Sequence, residues 1–265
     1  MLRADDMGSP VEIDHAAQRI VSLVPSLTET IAAAQRASLI GATDWCTHPA
    51  NLKVTRVRGT KNPDWRAIVA LEPDLVLANK EENRELDVRR LRDAGVQVWV
   101  TVIESVPQAL TSLDRLFTEA LGWPMPDWLL EARRLWSGPA PKVRARVAVP
   151  IWRDPWMVIG SSTYTGDLLR HAGLENVFDN HQDRYPIVEL EQIDRSDIDR
   201  VLLSDEPYAF TARDGPEAFH NVPTELVSGR LLTWYGPAMV EAAHALNATP
   251  SLVPPRANGG LLPLI

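Results

Sequence analysis

Residues 19–34 read RIVSLVPSLTETIAAA, a short apolar run followed by a proline and then an alanine-rich segment. The run Ile20–Val24 predicts a buried parallel strand, because such strands are apolar at successive positions instead of alternating ones. The proline ends the strand. Ser26 or Thr28 can then cap a helix, with Glu29 three residues after Ser26 in the capping-box spacing. The stretch therefore predicts a strand, a loop and a helix.

The same alternation of strands and helices continues downstream. Polar or proline-containing segments separate the apolar runs, and Gly95 stands where a helix C-cap is expected. The predicted elements are a strand at 39–42, a helix within 63–71, a strand at 74–78, a helix at 87–94 and a strand at 96–102. Strands that alternate with helices indicate an α/β fold with a parallel sheet covered on both faces.

A helical stretch without strands divides the chain. Residues 106–136 have a helical pattern interrupted by GWPMP, and the proline-rich SGPAPK that follows is typical of a boundary. Beyond it, IDRSDIDRVLLSDEP repeats the pattern of IVALEPDLVLANKEE. The later predicted elements are strands at 145–151 and 225–227, a helix at 167–172, a loop GRLLTWYG and a closing helix at 237–247.

These patterns predict two α/β lobes with parallel sheets, residues 11–103 and 143–249. A helical linker, residues 104–142, joins them, and residues 250–265 form a tail rich in proline and glycine. Ligands of open parallel sheets bind beyond the carboxyl ends of the strands. The loops at those ends contain many of the aromatic and polar residues, so we expect a ligand cleft between the two lobes.

Composition excludes some functions. The 265 residues carry a formal net charge of −8, with a pI near 5.3. This gives no positive field to attract phosphates, so nucleic acid is not expected as a partner.

Residues 1–20 contain acids where a secretory signal has basic residues and an apolar run. As written, the chain is expected in the cytoplasm, whereas a start further upstream would place it in the periplasm.

Four segments, in this order and spacing, resemble a known family. They are residues 19–29, LIGATDWCTHP, RGTKNP and IVALEPDLVLAN. They are similar to the substrate-binding proteins of cobalamin, haem and ferric-siderophore importers, most of all to the cobalamin-binding branch. The resemblance runs from about residue 11 to the closing helix and implies two Rossmann-like lobes joined by a rigid backbone α-helix. Here the helix at 127–136 is shorter than the family's, about 15 Å at 1.5 Å per residue.

The resemblance also implies how a ligand is held. The expected ligand is a corrinoid (cobalamin or cobinamide), haem or a ferric siderophore, bound without chemical change, and no intrinsic cofactor is expected. The family's corrinoid-binding aromatic positions fall on Trp45, Tyr185 and Trp234. Two further aromatic positions of the cobalamin binders fall on Thr60 and Asn79.

Family members dock on an ABC transporter permease through one acidic residue in each lobe. The second-lobe position falls on Glu191, but the first-lobe position is Arg66. A reversed charge is expected to weaken docking to a basic socket. The protein is expected to be a monomer.

The predicted ligand-binding residues share a place in the strand-end loops, except Lys61 and Tyr185, which come from segments that the family uses. They are Ser26, Trp45, His48, Lys61, Asn79, Glu82, Trp152, Trp156, Tyr164, Tyr185, Glu206, Tyr208, Trp234 and Tyr235.

The segment DWCTHP holds the only cysteine, Cys46, two residues before His48. A Cys-x-His spacing is too local to build a tetrahedral metal site, and no sequence context indicates a lowered thiol pKa. We expect Cys46 to be a small buried side chain and no bare metal site to form. His48 is either an axial ligand to the metal of a bound cofactor or a hydrogen-bonded loop residue, and Trp45 is either a stacking face or core.

Enzyme motifs are missing from the sequence. It has no glycine-rich phosphate loop, no G-x-S-x-G and no H-E-x-x-H. The alternatives to a binding protein are a metal- or cofactor-dependent enzyme of the nitrogenase-like two-lobe fold, or a degenerate binding fold used for protein interaction. A cluster enzyme needs several cysteines, so we predict a protein that is not an enzyme.

Overall fold

The computed structural model describes residues 1–248. They divide into two units, one formed by residues 1–139 with 230–244, and the other by residues 140–229 with the segment after 244. We call them unit 1 and unit 2. No helix in the described range is long and apolar enough to cross a membrane.

Unit 1 is built on a five-stranded sheet. All strands of unit 1, inside and outside this sheet, are in chain order β1 (Leu2–Ala4), β2 (Pro10–Glu12), β3 (Ile20–Ser22), β4 (Leu39–Ala42), β5 (Thr55–Arg56), β6 (Arg58–Gly59), β7 (Asn62–Pro63), β8 (Leu75–Asn79) and β9 (Val98–Thr101). Its helices up to residue 139 are α1 (Pro25–Gln35), α2 (Trp65–Ala70), α3 (Glu85–Asp93), α4 (Val106–Arg115) and α5 (Asp127–Trp136).

The sheet has the order β5-β4-β3-β8-β9, and every neighbouring pair is parallel. Strand β8 is buried along its whole length, as its continuous apolar sequence predicts. On one face, Val21, Val76 and Val98 pack with Ile68 of α2 and Leu91 of α3 in an apolar cluster. The predicted parallel α/β arrangement of this half is confirmed.

Two predicted helix caps in unit 1 can be compared with the structure, and one is confirmed while the other is wrong. Gly95 follows α3 with a φ of 82°, a left-handed conformation that favours glycine, so the predicted C-cap is confirmed. The capping box at Ser26 is wrong, because α1 begins at Pro25 and has no side-chain cap. Proline supplies the helical φ at this first position and lacks the N–H that a cap would satisfy.

The first ten residues belong to unit 1, although the predicted lobe begins at residue 11. Strands β1 and β2 pair antiparallel as a hairpin. The buried Asp5 carboxylate accepts backbone N–H groups of Met7 and Ser9 and the Arg92 guanidinium at 2.7 Å. It also accepts the N–H of Val100, in β9. One carboxylate thus attaches the hairpin to the sheet.

The segment predicted as a linker packs onto unit 1. A turn of π-helix, Leu116–Leu121, continues α4. The Trp123 indole N–H donates to the Ala17 carbonyl at 3.0 Å, and Arg115 pairs with Asp6. The described boundary lies at residue 139 instead of 142, and the use of this segment as a backbone helix stays a prediction.

Unit 2 contains a four-stranded sheet. The strands of this unit, inside and outside the sheet, are β10 (Ala145–Ala148), β11 (Pro150–Trp152), β12 (Met157–Val158), β13 (Leu174–Asn176), β14 (Arg200–Ser204) and β15 (Thr224–Val227). Its helices are α6 (Tyr164–His171) and α7 (Leu190–Ile193). The sheet order is β13-β10-β14-β15, all parallel. The predicted single strand 145–151 is interrupted at Val149, after which β11 turns away to pair antiparallel with β12. The α/β prediction is confirmed here too.

The chain then returns to unit 1 over residues 230–244, which contain most of α8 (Gly229–Thr233) and of α9 (Ala238–Ala248). The prediction of a loop for GRLLTWYG is wrong in its first half. Arg230 bonds Glu29 of α1 and makes a two-fold contact with Glu241 of α9. The Trp136 indole N–H donates to the Met239 carbonyl at 2.8 Å. These contacts hold the returning segment on unit 1, whereas the second predicted lobe included it. The predicted tail, 250–265, lies outside the described residues.

Asp5 provides a stability test. In Asp5→Ala, the Arg92 guanidinium and the backbone N–H groups of Met7, Ser9 and Val100 lose their acceptor. The free energy of unfolding is expected to fall by about 3 kcal/mol. Urea unfolding followed by circular dichroism measures it. Asp14→Ala is the matched control, since the exposed Asp14 pairs with the terminal amine alone. Equal losses in the two variants would contradict the role of Asp5.

Candidate functional site

Three predicted ligand loops lie at one edge of the unit 1 sheet. The chain enters them from β3, β4 and β8, which are adjacent and parallel. Their carboxyl ends therefore meet at the same edge. The loops are the start of α1, the segment DWCTHP and the segment NKEEN.

Cys46 is fully buried below this edge. The Thr28 hydroxyl donates to its sulfur at 3.0 Å, and the Thr43 hydroxyl lies 3.1 Å from it. Burial raises the pKa of the thiol, because the thiolate would lose its hydration. The prediction of a small buried side chain is confirmed, and the thiol is unsuited to nucleophilic attack. In residues 1–248, no group of three His, Cys, Asp or Glu side chains is placed to hold a metal ion.

Trp45, next to this cysteine, is 67% exposed. Arg56 donates to the backbone carbonyls of Thr43 and Cys46, which fixes the loop on both sides of the indole. Gly59 lies beside the ring, and a Cβ there would come within 3.3 Å of the indole nitrogen. Trp45 is therefore not part of the core. Its other proposed role, as a stacking face for a ligand, stays a prediction.

His48 is exposed and meets the ring of Trp234 edge to face, with centroids 5.4 Å apart and planes at 87°. Both residues belong to unit 1. Trp234 is buried, so its ring forms the base against which His48 rests. The contact positions the imidazole, and a role for it as an axial ligand to a cofactor metal stays a prediction.

Tyr235, which follows Trp234, is buried with its hydroxyl beside Ser26 and Thr101. Burial raises the pKa of this phenol, and the negative charge of Glu82 raises it further. The structure thus brings together three predicted site residues, Ser26, Glu82 and Tyr235. Ser26 and Tyr235 are buried, and Glu82 is partly exposed.

Asn79 ends β8 and organises the NKEEN loop. Its amide N–H donates to the Thr101 hydroxyl at 3.1 Å, and its side-chain oxygen accepts the backbone N–H groups of Glu81 and Glu82. Because these bonds use both ends of a buried amide, its observed role is to shape the loop. Lys61, from the β6–β7 hairpin, donates to the Glu81 carbonyl and so joins that hairpin to the same loop.

In unit 2, the two tryptophans of the WRDPW segment lie in different environments, one exposed and one buried. Trp152 is 45% exposed and meets Tyr208 at 5.5 Å with a near-perpendicular geometry. Trp156 is buried, stacked on Phe210 at 5.9 Å and in edge contact with Phe219. The rings of Trp156 are used by core packing, so Trp152 is the displayed member of the pair.

The remaining predicted residues of unit 2 are Tyr164, Tyr185 and Glu206. Tyr164 is buried in the first turn of α6. Tyr185 is half-buried, with the Arg184 guanidinium 5.9 Å from its ring. Glu206 is half-buried, and its backbone carbonyl accepts the Ser204 hydroxyl at 2.7 Å. Ligand contact by these three residues stays a prediction.

Sequence reasoning missed the charged groups that hold these aromatic residues. In unit 1, Arg230 joins α8, which leads to Trp234, to Glu29 of α1. In unit 2, Arg153 bonds Asp214, and Asp214 accepts the Tyr208 hydroxyl. Arg153 lies between the two tryptophans of WRDPW in sequence, which is a weak signal. Its acidic partner is 61 residues away, and no local pattern reveals such a pair.

Comparison with known proteins gives the family. The chain is 30% identical over 191 residues to the vitamin B12-binding protein of Salmonella typhi, an alignment that covers 68% of this chain and 69% of that protein. The chain belongs to the vitamin B12-binding protein family. The predicted family resemblance is thereby confirmed, although no family model matches the sequence.

Solved structures share the fold of this family member. The periplasmic vitamin B12 binding protein BtuF of Vibrio cholerae aligns with a TM-score of 0.67 at 18% identity, covering 88% of this chain and 96% of that one. A periplasmic heme binding protein from Pseudomonas aeruginosa aligns with a TM-score of 0.71 at 22% identity, covering 88% and 92%. The cytoplasmic location expected from residues 1–20 finds no support here, since both proteins are described as periplasmic.

The two predicted docking residues are at the surface of their units. Glu191 is exposed in the first turn of α7. Arg66 is exposed on α2, and its guanidinium lies 4.5 Å from the Trp65 ring centroid. Both positions are accessible, and their docking roles stay predictions.

The raised pKa of Tyr235 predicts a dependence of stability on alkaline pH. The folded state favours the neutral phenol, so this stabilisation is complete below the unfolded pKa of about 10 and is lost as pH rises above it. At a pH about one unit above this unfolded pKa, the unfolding free energy of wild type should have fallen from its neutral-pH value by about 1 kcal/mol more than that of Tyr235→Phe has. Urea unfolding of both proteins at neutral and alkaline pH measures the difference. Parallel losses in the two proteins would show that Tyr235 does not titrate this way.

Proposed function

We propose that the chain binds a corrinoid, cobalamin or its precursor cobinamide, and releases it chemically unchanged. The observation that carries this proposal is the 30% identity over 191 residues to a protein named for vitamin B12 binding. The solved heme binding protein is similar at 22% identity, which concerns the fold alone.

An exposed indole in unit 1 supports a ring-shaped ligand. Trp45 keeps a large apolar face in water, 67% exposed, while Arg56 and the close approach of Gly59 restrict its movement. A rigid aromatic face binds a planar macrocycle with little loss of side-chain entropy, and the contact is stabilised by desolvation of both surfaces. A corrin ring offers such a surface.

Charge favours a corrinoid over the other candidate ligands. Glu81 and Glu82 lie at the same edge of the unit 1 sheet as Trp45, and the net charge of the chain is −8. Haem carries two carboxylates and many ferric siderophores are anionic, so like charges would oppose their binding. The amide-substituted rim of a corrinoid is neutral and can accept and donate hydrogen bonds.

A binding protein of this class delivers its ligand to a partner. We infer that the partner is an ABC transporter permease and that the protein acts outside the cytoplasm. In unit 2, Glu191 is the proposed contact with the permease. In unit 1, Arg66 is expected to require an acidic surface on the permease. Fractionation of the native cells, with antibody detection of the protein, tests its location.

Isothermal titration tests the ligand. Cobalamin, cobinamide, haem and a panel of ferric siderophores are titrated into the purified protein, and the visible spectrum of protein from its own cells is recorded. We expect heat with a corrinoid and a corrinoid spectrum. Binding of haem or a siderophore alone would replace the ligand class, and no heat with any of them would leave the fold without this function.

Trp45 is the sharpest single test of the stacking surface. Trp45→Ala removes the exposed face and should weaken corrinoid binding about five-fold or more, since an aromatic contact contributes on the order of 1 kcal/mol beyond area burial. Trp45→Phe should retain most of the affinity. Leu130→Ala is the control, since Leu130 is an exposed apolar side chain of unit 1, 52% exposed on α5, and this variant should bind as wild type does. Equal affinities for wild type and Trp45→Ala would remove Trp45 from the binding surface.

A further inference from the structure

Unit 2 contains a continuous series of aromatic contacts from the surface to the core. Trp152, 45% exposed, meets Tyr208 at 5.5 Å, and Tyr208 meets Phe210 at 4.6 Å. Phe210 stacks on Trp156, which contacts Phe219. The exposed indole therefore rests on Tyr208, and its position depends on how that ring is held.

A charged group holds Tyr208 from the side. Its hydroxyl donates to a carboxylate oxygen of Asp214 at 2.7 Å, and Arg153 donates to the other oxygen of the same carboxylate. Asp214 is fixed in turn by an antiparallel bridge with Thr211, with backbone bonds in both directions. The Arg153 guanidinium also lies 5.6 Å from the ring centroid of Trp156, so the same network contacts two members of the aromatic series, Tyr208 and Trp156.

We propose that Asp214 is a positioning residue for ligand binding, which orients Tyr208 and thereby presents Trp152 as a fixed aromatic surface for the corrinoid. This inference rests on the proposed function. Asp214 itself need not contact the ligand, and neither it nor Arg153 belongs to the residues that sequence motifs indicate.

Energetics separate this role from a contribution to folding. The Asp214 side chain is 44% exposed, and an ion pair at such a position contributes little to stability. The orientation of an aromatic ring is more sensitive, since a free phenol samples several rotamers and the indole resting on it then moves as well. Loss of Asp214 should therefore change binding more than stability.

The Asp214 carboxylate also raises the pKa of the Tyr208 phenol. Ionisation would lose the hydrogen bond to Asp214 and bring two negative charges together. This gives a readout of the contact that is independent of any ligand. The difference between the tyrosinate absorption of wild type and of Tyr208→Phe isolates the titration of Tyr208.

A double-mutant cycle with Asp214→Asn and Tyr208→Phe tests the proposal. Cobalamin and cobinamide are the probes, and calorimetry measures affinity. Each single variant should bind about three- to ten-fold more weakly than wild type, and the double variant no more weakly than Tyr208→Phe, because Asp214 acts through the hydroxyl that this variant lacks. In Asp214→Asn, Tyr208 should ionise at lower pH. Asp197→Asn, the same charge change at an exposed residue paired with Arg146, is the control and should bind as wild type does.

Other outcomes overturn the inference in distinguishable ways. Additive losses in the double variant would mean that Asp214 contacts the ligand itself or acts by another route. An unchanged Tyr208 titration in Asp214→Asn would refute the positioning contact, whatever the affinities. A wild-type protein that binds neither corrinoid overturns the proposed function and the ligand role of Trp152, while the titration still decides whether Asp214 holds Tyr208.

Discussion

The pairing of β3 with both β4 and β8 is the constraint on which unit 1 depends. Val21 lies opposite Gly41 on one side and Val76 on the other, and the Leu23 N–H continues the ladder to the Leu77 carbonyl. Because all three strands run in the same direction, their following loops leave the sheet at one edge. Trp45, Asn79 and the start of α1 share that edge without any direct contact being needed to bring them there.

The predicted aromatic site residues of the two units are of two kinds. Trp234 and Tyr235 are buried and hold positions in the fold, whereas Trp45 and Trp152 are displayed on supports that restrict them. The supports differ in chemistry. Trp45 is held by a loop whose carbonyls bond Arg56, and Trp152 rests on a ring whose hydroxyl bonds Asp214. In both cases a guanidinium group is part of the support, since its planar set of donors can join several acceptors at once.

The returning segment adds a polar anchor. Arg230 and Glu29 are largely desolvated, with side chains 14% and 11% exposed, whereas Glu241 is 59% exposed. The bond to Glu29 therefore contributes more to the position of α8 than the exposed pair with Glu241 does. The Glu241 and Glu29 carboxylates hold the pKa of the Arg230 guanidinium above its ordinary value, because both stabilise its charged form. Trp234 and Tyr235 follow α8 directly, and their burial depends on this attachment.

Local sequence determined most strands and helices of the two parallel sheets, the family and the burial of Cys46, because strand periodicity, glycine caps and short motifs act over a few residues. It also placed Trp45 and Trp152 in strand-end loops. It did not reveal the hairpin β1–β2 or the helix α8. Only the tertiary structure decided which aromatic rings are displayed and which are packed, as the contrast between Trp152 and Trp156 illustrates. It alone decided that residues 230–244 return to unit 1, that Asp5 attaches the first hairpin, and that Asp214 holds Tyr208. These outcomes depend on contacts between residues far apart in the chain, and the free energy of such contacts is set by burial and geometry, which no local pattern encodes.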